Sequence, residues 1–247
     1  MSPTPMRPKP KRILLKLSGE AFMGDQPFGI DDKAVKRFAG EIAEVHKTGI
    51  EIAVVIGGGN IFRGVALAAK GGDRVTGDHM GMLATVMNAL SLEAALVRAG
   101  ADSRAMSAIE MPSVCETYTH RRAAWHMETG RVVVLAGGTG NPYFTTDSGA
   151  ALRALELECQ ALLKGTQVDG VYSADPKHHA DATRYDHVTY DEAIREGLAV
   201  MDTAAFALAR DNGLPIIVFD VHQTGSLSRI VAGEPVGTIV AGAAAAE

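Results

Sequence analysis

Lys16 stands at the end of an apolar run and is followed at once by Leu17, Ser18 and Gly19. An ammonium group there can bridge a phosphoryl group in transit and offset the charge developing on it. The glycine lets backbone N–H groups approach a phosphate closely. Two more glycine-rich turns follow apolar runs: Gly57, Gly58, Gly59 and Asn60, then Gly137, Gly138, Thr139, Gly140 and Asn141. The last leads through Pro142, Tyr143 and Phe144 to Thr145, Thr146 and Asp147. One such turn is a weak signal. Three in one chain, one with a lysine and one followed by two threonines and a carboxylate, suit a site holding two phosphorylated ligands at once. That is the geometry of phosphoryl transfer to a phosphate acceptor, in which positioning and charge neutralisation carry the catalysis.

Each candidate also has a plainer reading. Lys16 could snorkel out of a strand end, although the adjoining Ser18 and Gly19 favour a role at phosphate. Arg63, soon after the triple glycine, can grip a phosphate with two donors or be an ordinary surface arginine. Asp78 opens a long apolar helical run, where it can cap the helix or accept bonds from sugar hydroxyls. Thr145 and Thr146 lead into a helix start, a natural phosphate cradle. Asp147 can cap that helix, orient a lysine or engage Mg²⁺. In the segment 169–176, Tyr172 could pack on a base and Asp175 lie near sugar or metal; the alternative is a hairpin with a polar tip. His178 and His179 have no further ligands at metal spacing. No Gly-x-x-x-x-Gly-Lys run is present, and the triple glycine is not a Gly-x-Gly-x-x-Gly fingerprint, which disfavours a dinucleotide-dependent oxidoreductase.

These residues need strands to carry them and helices to back them. Continuous apolar runs at 13–15, 52–56 and 132–136 predict buried strands ahead of the three turns. Further strands are expected at 103–108, 161–163, 216–219 and 238–240. Helical spacing predicts helices over 33–46, 81–99, 119–128, 148–157 and 204–212, several closed by glycine. Trp125 and the methionines Met80, Met82 and Met87 read as packing. The polar stretch 169–191 reads as a loop or hairpin over the site. The alternation implies an α/β fold: a doubly wound, mostly parallel sheet with helices on both faces and ligands at the carboxyl ends of its strands.

Composition agrees. The 247 residues are 47% hydrophobic and 21% charged, sufficient for one large domain, assigned to 12–240. A net charge of −5 does not favour nucleic-acid binding. Cys115 and Cys159 show no metal or redox spacing and read as free thiols in a reducing compartment. The sequence shows no apolar run of membrane-spanning length and no signal peptide, so a cytoplasmic location is expected. Residues 1–11, proline-rich and basic, read as a disordered arm, and 241–247 as a short tail.

Five segments together resemble the amino-acid kinase family, in its branch of bacterial UMP kinases: 11–21, 54–60, 77–85, 138–147 and 168–176. The segments 77–85 and 138–147 are particular to the UMP-using branch. The resemblance runs from about residue 11 to 240. It implies the amino-acid kinase fold and ATP-dependent phosphorylation of UMP to UDP with Mg²⁺. It implies catalytic roles for Lys16 and Asp147. ATP would be bound by Lys16, Leu17, Ser18, Gly19, Gly59, Arg63, Thr166, Tyr172 and Asp175. UMP would be bound by Gly58, Arg63, Asp78, Thr139, Gly140, Asn141, Pro142, Tyr143, Phe144, Thr145 and Thr146. It further implies a homohexamer activated by GTP and inhibited by UTP, with an effector set of Gly24, Asp25, Gln26, Pro27, Phe28, Gly29, Arg104 and Arg131. Glu93 and Val97 stand where relatives can carry Arg and His. Asp202 stands where relatives acting on carboxyl acceptors carry a second lysine, which disfavours an amino-acid acceptor. The competing readings are a family member acting on a carboxylate or carbamate, and a non-catalytic nucleotide-binding protein on the same scaffold. Retention of Lys16 with Asp147 argues against the latter.

Overall fold

The apolar runs ahead of the three glycine turns become neighbouring parallel strands, so the turns emerge along one edge of one sheet. The computed structural model describes residues 10–62, 71–174, 176, 178–179, 181–198 and 200–242. The strands are β1 (Arg12–Leu17), β2 (Glu51–Ile56), β3 (Ser103–Ser107), β4 (Glu116–Thr117), β5 (Val132–Ala136), β6 (Ala161–Thr166), β7 (Val171–Tyr172), β8 (Arg184–Tyr185), β9 (His187–Thr189), β10 (Ile216–Asp220) and β11 (Thr238–Ala241). Nine of them form a sheet in the order β4-β3-β5-β2-β1-β6-β10-β11-β9, and β7 and β8 pair separately as a hairpin. All main-sheet pairings are parallel except β10 with β11.

Side chains alternate across the sheet, as strand geometry requires. Ile13, Leu15 and Leu17 enter one core with Ile52, Val54 and Val134. Leu14 enters the other with Ala53, Val55 and Val133. Helices α1 (Asp32–His46) and α2 (Arg74–Arg98) cover the first face. Helices α3 (His120–Glu128), α4 (Thr146–Glu156), α5 (Tyr190–Arg195) and α6 (Thr203–Asp211) contribute to the second, and α7 (Ser226–Val231) returns to the first. Both faces are therefore buried, which explains the near-continuous apolar strands. The α/β, mostly parallel architecture agrees with the sequence reading.

Several local readings change. Helix α2 begins at Arg74 rather than 81 and is capped by the Asp73 side chain, so Asp78 lies inside the helix. By length and composition α2 could cross a membrane, contrary to the sequence expectation, but half of its apolar window is buried inside the protein. Helix α4 is capped by Thr145, so Asp147 sits in its first turn and is released from capping. Met82 is buried as expected, whereas Met80, Met87 and Trp125 are about half-exposed. The 169–191 stretch contains the expected hairpin, but it also supplies β9 to the main sheet and the start of α5. Strand β11 runs through Ala241, into the expected tail. The arm lies outside the described residues except for Pro10 and Lys11.

Candidate active site

Strand register builds the reactive centre. Lys16 on β1 lies beside Lys164 on β6, so both side chains leave the sheet on the same face. Two like charges in that relation repel each other. Asp147, in the first turn of α4, lies between them: Lys16 Nζ is 2.8 Å from Oδ1 and Lys164 Nζ is 2.5 Å from Oδ2. The Oδ1 contact is an ion pair without hydrogen-bond alignment. Lys164 also donates to the Val200 carbonyl. All three side chains are close to fully buried. Burial pushes the Asp147 carboxyl pKa up, but the facing Lys16 and Lys164 charges outweigh it and hold the group below its ordinary value. Burial lowers the Lys164 pKa, with Asp147 opposing the shift and Lys16 adding to it. The centre carries one excess positive charge, suited to meeting phosphate oxygens. Lys164 was missed by sequence reasoning, although a lysine within the apolar run of β6 is the same signal that singled out Lys16.

The glycine turns pack tightly at the strand ends. A Cβ on Gly19 would come within 2.5 Å of the Gly57 carbonyl oxygen, and one on Gly58 within 2.6 Å of the Gly81 carbonyl oxygen. Only glycine permits that approach. The first two turns are thus in direct contact, with Gly57 N–H donating to the Leu17 carbonyl.

Beside them opens a cleft of about 220 Å³. Gly58, Asp78, Thr139, Asn141, Phe144, Thr145 and Thr146 line it, together with Arg74 and Thr85, which the sequence did not single out. Asp78 accepts from Arg74 Nε, 2.8 Å from each carboxylate oxygen, and from the Tyr143 backbone N–H at 2.8 Å. Tyr143 has a positive φ of 70° and its ring lies under the Arg74 guanidinium. Gly140 and Pro142 belong to the same loop, and Gly140 N–H donates to the Gly137 carbonyl at 2.8 Å. The Thr145 hydroxyl does not point openly toward a ligand: it accepts from the Asp147 and Ser148 amides and donates to Asp202. Asp202 caps α6 and also accepts from Ser148 Oγ at 3.0 Å.

A second, polar cleft of about 150 Å³ is lined by Asp169, Arg184, Asp220 and Gln223, among others. It adjoins Thr166, which pairs with Asp220 at the ends of β6 and β10, and the hairpin carrying Tyr172. Tyr172 Oη donates to Asp169 at 2.7 Å. Arg63 and Asp175 lie outside the described residues. The residues of the effector set do not gather within one chain. Gly24, Asp25, Gln26, Pro27, Phe28 and Gly29 lie beyond the carboxyl end of β1, with Gly29 bonded to Asn60. Arg104 and Arg131 lie at the amino ends of β3 and β5, where Arg131 pairs with Asp102 and covers the Trp125 ring. Glu93 accepts from the Ala105 backbone N–H at 2.9 Å.

This geometry has clear relatives. The model of the amino acid kinase family matches residues 11–220. Uridylate kinase of Chelativorans sp. strain BNC1 is 59% identical over 235 residues, 95% of each chain. Uridylate kinase of Brucella anthropi is 60% identical over 234 residues, covering 95% of this chain and 98% of the relative. The crystal structure of UMP kinase from Bacillus anthracis superposes with a TM-score of 0.93 at 40% identity, over 96% of this chain and 98% of that one. With the fold, the lysine-bearing strand end and the glycine turns all accounted for by those matches, the chain belongs to the amino acid kinase family.

Proposed function

We propose that this chain transfers the γ-phosphoryl group of ATP to UMP, forming UDP and ADP. The observation that carries the reading is the buried Lys16–Asp147–Lys164 cluster opening beside a cleft lined by Asp78 and the 138–146 turn. A phosphate acceptor is already ionised and needs no general base, so two ammonium groups and well-placed backbone amides suffice. Lys16 and Lys164 meet the transferring phosphoryl group, and Asp147 holds their ammonium groups in place. The donor phosphates lie on Leu17, Ser18, Gly19 and Gly59, and the donor nucleoside lies toward Thr166, Tyr172 and Asp175. The acceptor phosphate meets Gly58, Arg63 and Thr146; Arg63 also reaches the donor. Asp78 takes the ribose, and residues 139–145 close on the rest of UMP. The Asp202 carboxylate bonds the hydroxyls of Thr145 and Ser148, and β6 supplies the second ammonium group instead.

Among the described residues no three His, Cys, Asp or Glu side chains form a metal cage. Mg²⁺ would enter with the donor, since this ion is held largely by phosphates and one or two carboxylates. Asp147 would be its protein carboxylate, with an Oδ1 that lacks an aligned donor and lies 2.8 Å from Lys16 Nζ. Bound with ATP, the ion supplies neutralisation of phosphate charge. The same reading carries a cytoplasmic homohexamer, activated by GTP and inhibited by UTP. Because the two halves of the effector set stand at opposite ends of the sheet, an effector touching both must bind across copies.

The test is ADP release from ATP and Mg²⁺ with UMP, CMP, AMP, aspartate, acetylglutamate or carbamate, with and without GTP. Turnover on UMP alone is expected, raised by GTP. Turnover on a carboxylate or carbamate would overturn the acceptor assignment, and nucleotide binding without any turnover would make this a binding protein.

A further inference from the structure

Helix α2 carries three polar side chains on one edge, which between them bond two substrate loops. Asp78, Thr85 and Asn88 are spaced by seven and three residues, which places them within a narrow arc of the helix. Asp78 accepts from the Tyr143 amide in the 139–145 loop. The Thr85 hydroxyl accepts from the Gly137 amide at 2.8 Å while donating to the Met82 carbonyl at 2.6 Å. Asn88 Nδ2 donates to the Gly57 carbonyl at 2.7 Å and to Asn60 Oδ1 at 2.7 Å. Asn60 returns the bond, donating to Asn88 Oδ1 at 2.9 Å and to the Gly29 carbonyl at 2.9 Å. Asn60, Thr85 and Asn88 are all buried, and Asn88 is 0% exposed.

A buried amide pair costs stability unless every polar atom is matched, and here each amide group has a partner. A leucine pair at the same junction would take away the side-chain donors to the Gly57 and Gly29 carbonyls. What the amides add is register. The Gly57 carbonyl held by Asn88 is the atom that a Cβ on Gly19 would strike, and the Gly19 Cβ position lies 2.6 Å from Asn60 Oδ1. The Lys16-bearing turn, the triple glycine and the third glycine turn are thus all referenced to one rigid helix.

We infer that Asn60, Thr85 and Asn88 are positioning residues: through α2 they set the placement of the donor turn against the acceptor turn, Asn60 and Asn88 from behind the turns and Thr85 from the wall of the acceptor cleft. The inference rests on the proposed reaction. Misplacement of reacting groups by a fraction of a bond length is costly, so Asn88→Ala is expected to lower kcat by about 10–100-fold. Thr85→Val removes an acceptor from the third turn alone. It raises the KM for UMP by about fivefold, with the KM for ATP unchanged, and Thr85→Ser restores the parent value. Leu92→Ala, a buried change one turn further along α2 with no loop bond, is the stability control: it lowers Tm and leaves both KM values alone.

Amide hydrogen exchange of the ligand-free protein reads the same joint without turnover. Thr85→Val should unprotect Gly137 while the β5 amides remain protected, whereas Thr85→Ser should protect it as in the parent. Parent protein inactive on UMP would overturn the reaction rather than the joint, which the exchange data then judge alone. Kinetic changes in Thr85→Val and Asn88→Ala no larger than in Leu92→Ala, or a Gly137 amide indifferent to the Thr85 hydroxyl, would overturn the positioning role.

Discussion

Removing Asp147 and removing Lys164 break the same ion pair, yet the charge arrangement predicts very different costs. In the parent protein one carboxylate faces two ammonium groups, all three nearly buried. Unit charges about 4 Å apart at an effective dielectric constant near 20 interact by about 4 kcal/mol. The parent cluster has two such attractions against one repulsion between the lysines. Asp147→Asn leaves the repulsion alone, with two buried cations that have lost their contacting carboxylate. Relaxation and partial deprotonation reduce the loss to the range measured when a buried pair is broken, about 3–5 kcal/mol. For a chain of this length that is a fall in Tm of roughly 6–20 °C. Lys164→Met removes one attraction together with the repulsion and the burial cost of one charge, leaving a neutral Lys16–Asp147 pair. Its expected effect on Tm is under about 4 °C, corresponding to about 1 kcal/mol. Both variants lose a positioned charge at the reacting group, so kcat should fall by at least about 100-fold in each. Thermal unfolding monitored by circular dichroism, with coupled ADP release on the same preparations, separates the two effects. Equal losses of Tm in the two variants, or near-parental kcat in Lys164→Met, would contradict a cluster of one carboxylate shared by two catalytic cations.

The depressed Asp147 pKa gives this pair a pH signature. Its stabilisation is full above the unfolded value, near 3.8, and is lost as pH falls through the lower folded value. The Tm gap between parent and Asp147→Asn should therefore be constant near neutrality and close in acid; a gap that widened in acid would reverse the assignment. Lys16→Ala should abolish turnover while leaving UMP binding by calorimetry largely intact, and near-normal turnover would remove Lys16 from the reaction. Arg63→Ala should raise the KM for UMP far more than that for ATP, and equal changes would move it out of the acceptor site. Burial pushes the Cys159 thiol up to about 12, so Cys159 should resist alkylation at pH 8 until the chain unfolds; rapid labelling of the native protein would contradict its burial.

The chemistry was legible in the sequence wherever it was local. A strand run, a glycine turn and the side chains beside them sit within a few residues of one another, so the 16–19, 57–60 and 137–147 segments could be read directly. Local reading also misled at helix starts. Asp78 and Asp147 satisfy the residue preference for a cap, but Asp73 and Thr145 precede them and take the role. Their release leaves both carboxylates for the site, Asp78 to hold the Tyr143 loop and Asp147 to bridge two lysines. Residue type and spacing along the chain therefore determined the parallel α/β class, the glycine turns at the strand ends and the kind of chemistry they serve. Tertiary structure alone decided that β6 runs beside β1 with Lys164 level with Lys16, and that α4 delivers Asp147 between them. It likewise decided that one edge of α2 meets the second and third glycine turns. Those contacts join residues far apart in the chain, and strand order and register, which set them, leave no mark in any short stretch of sequence.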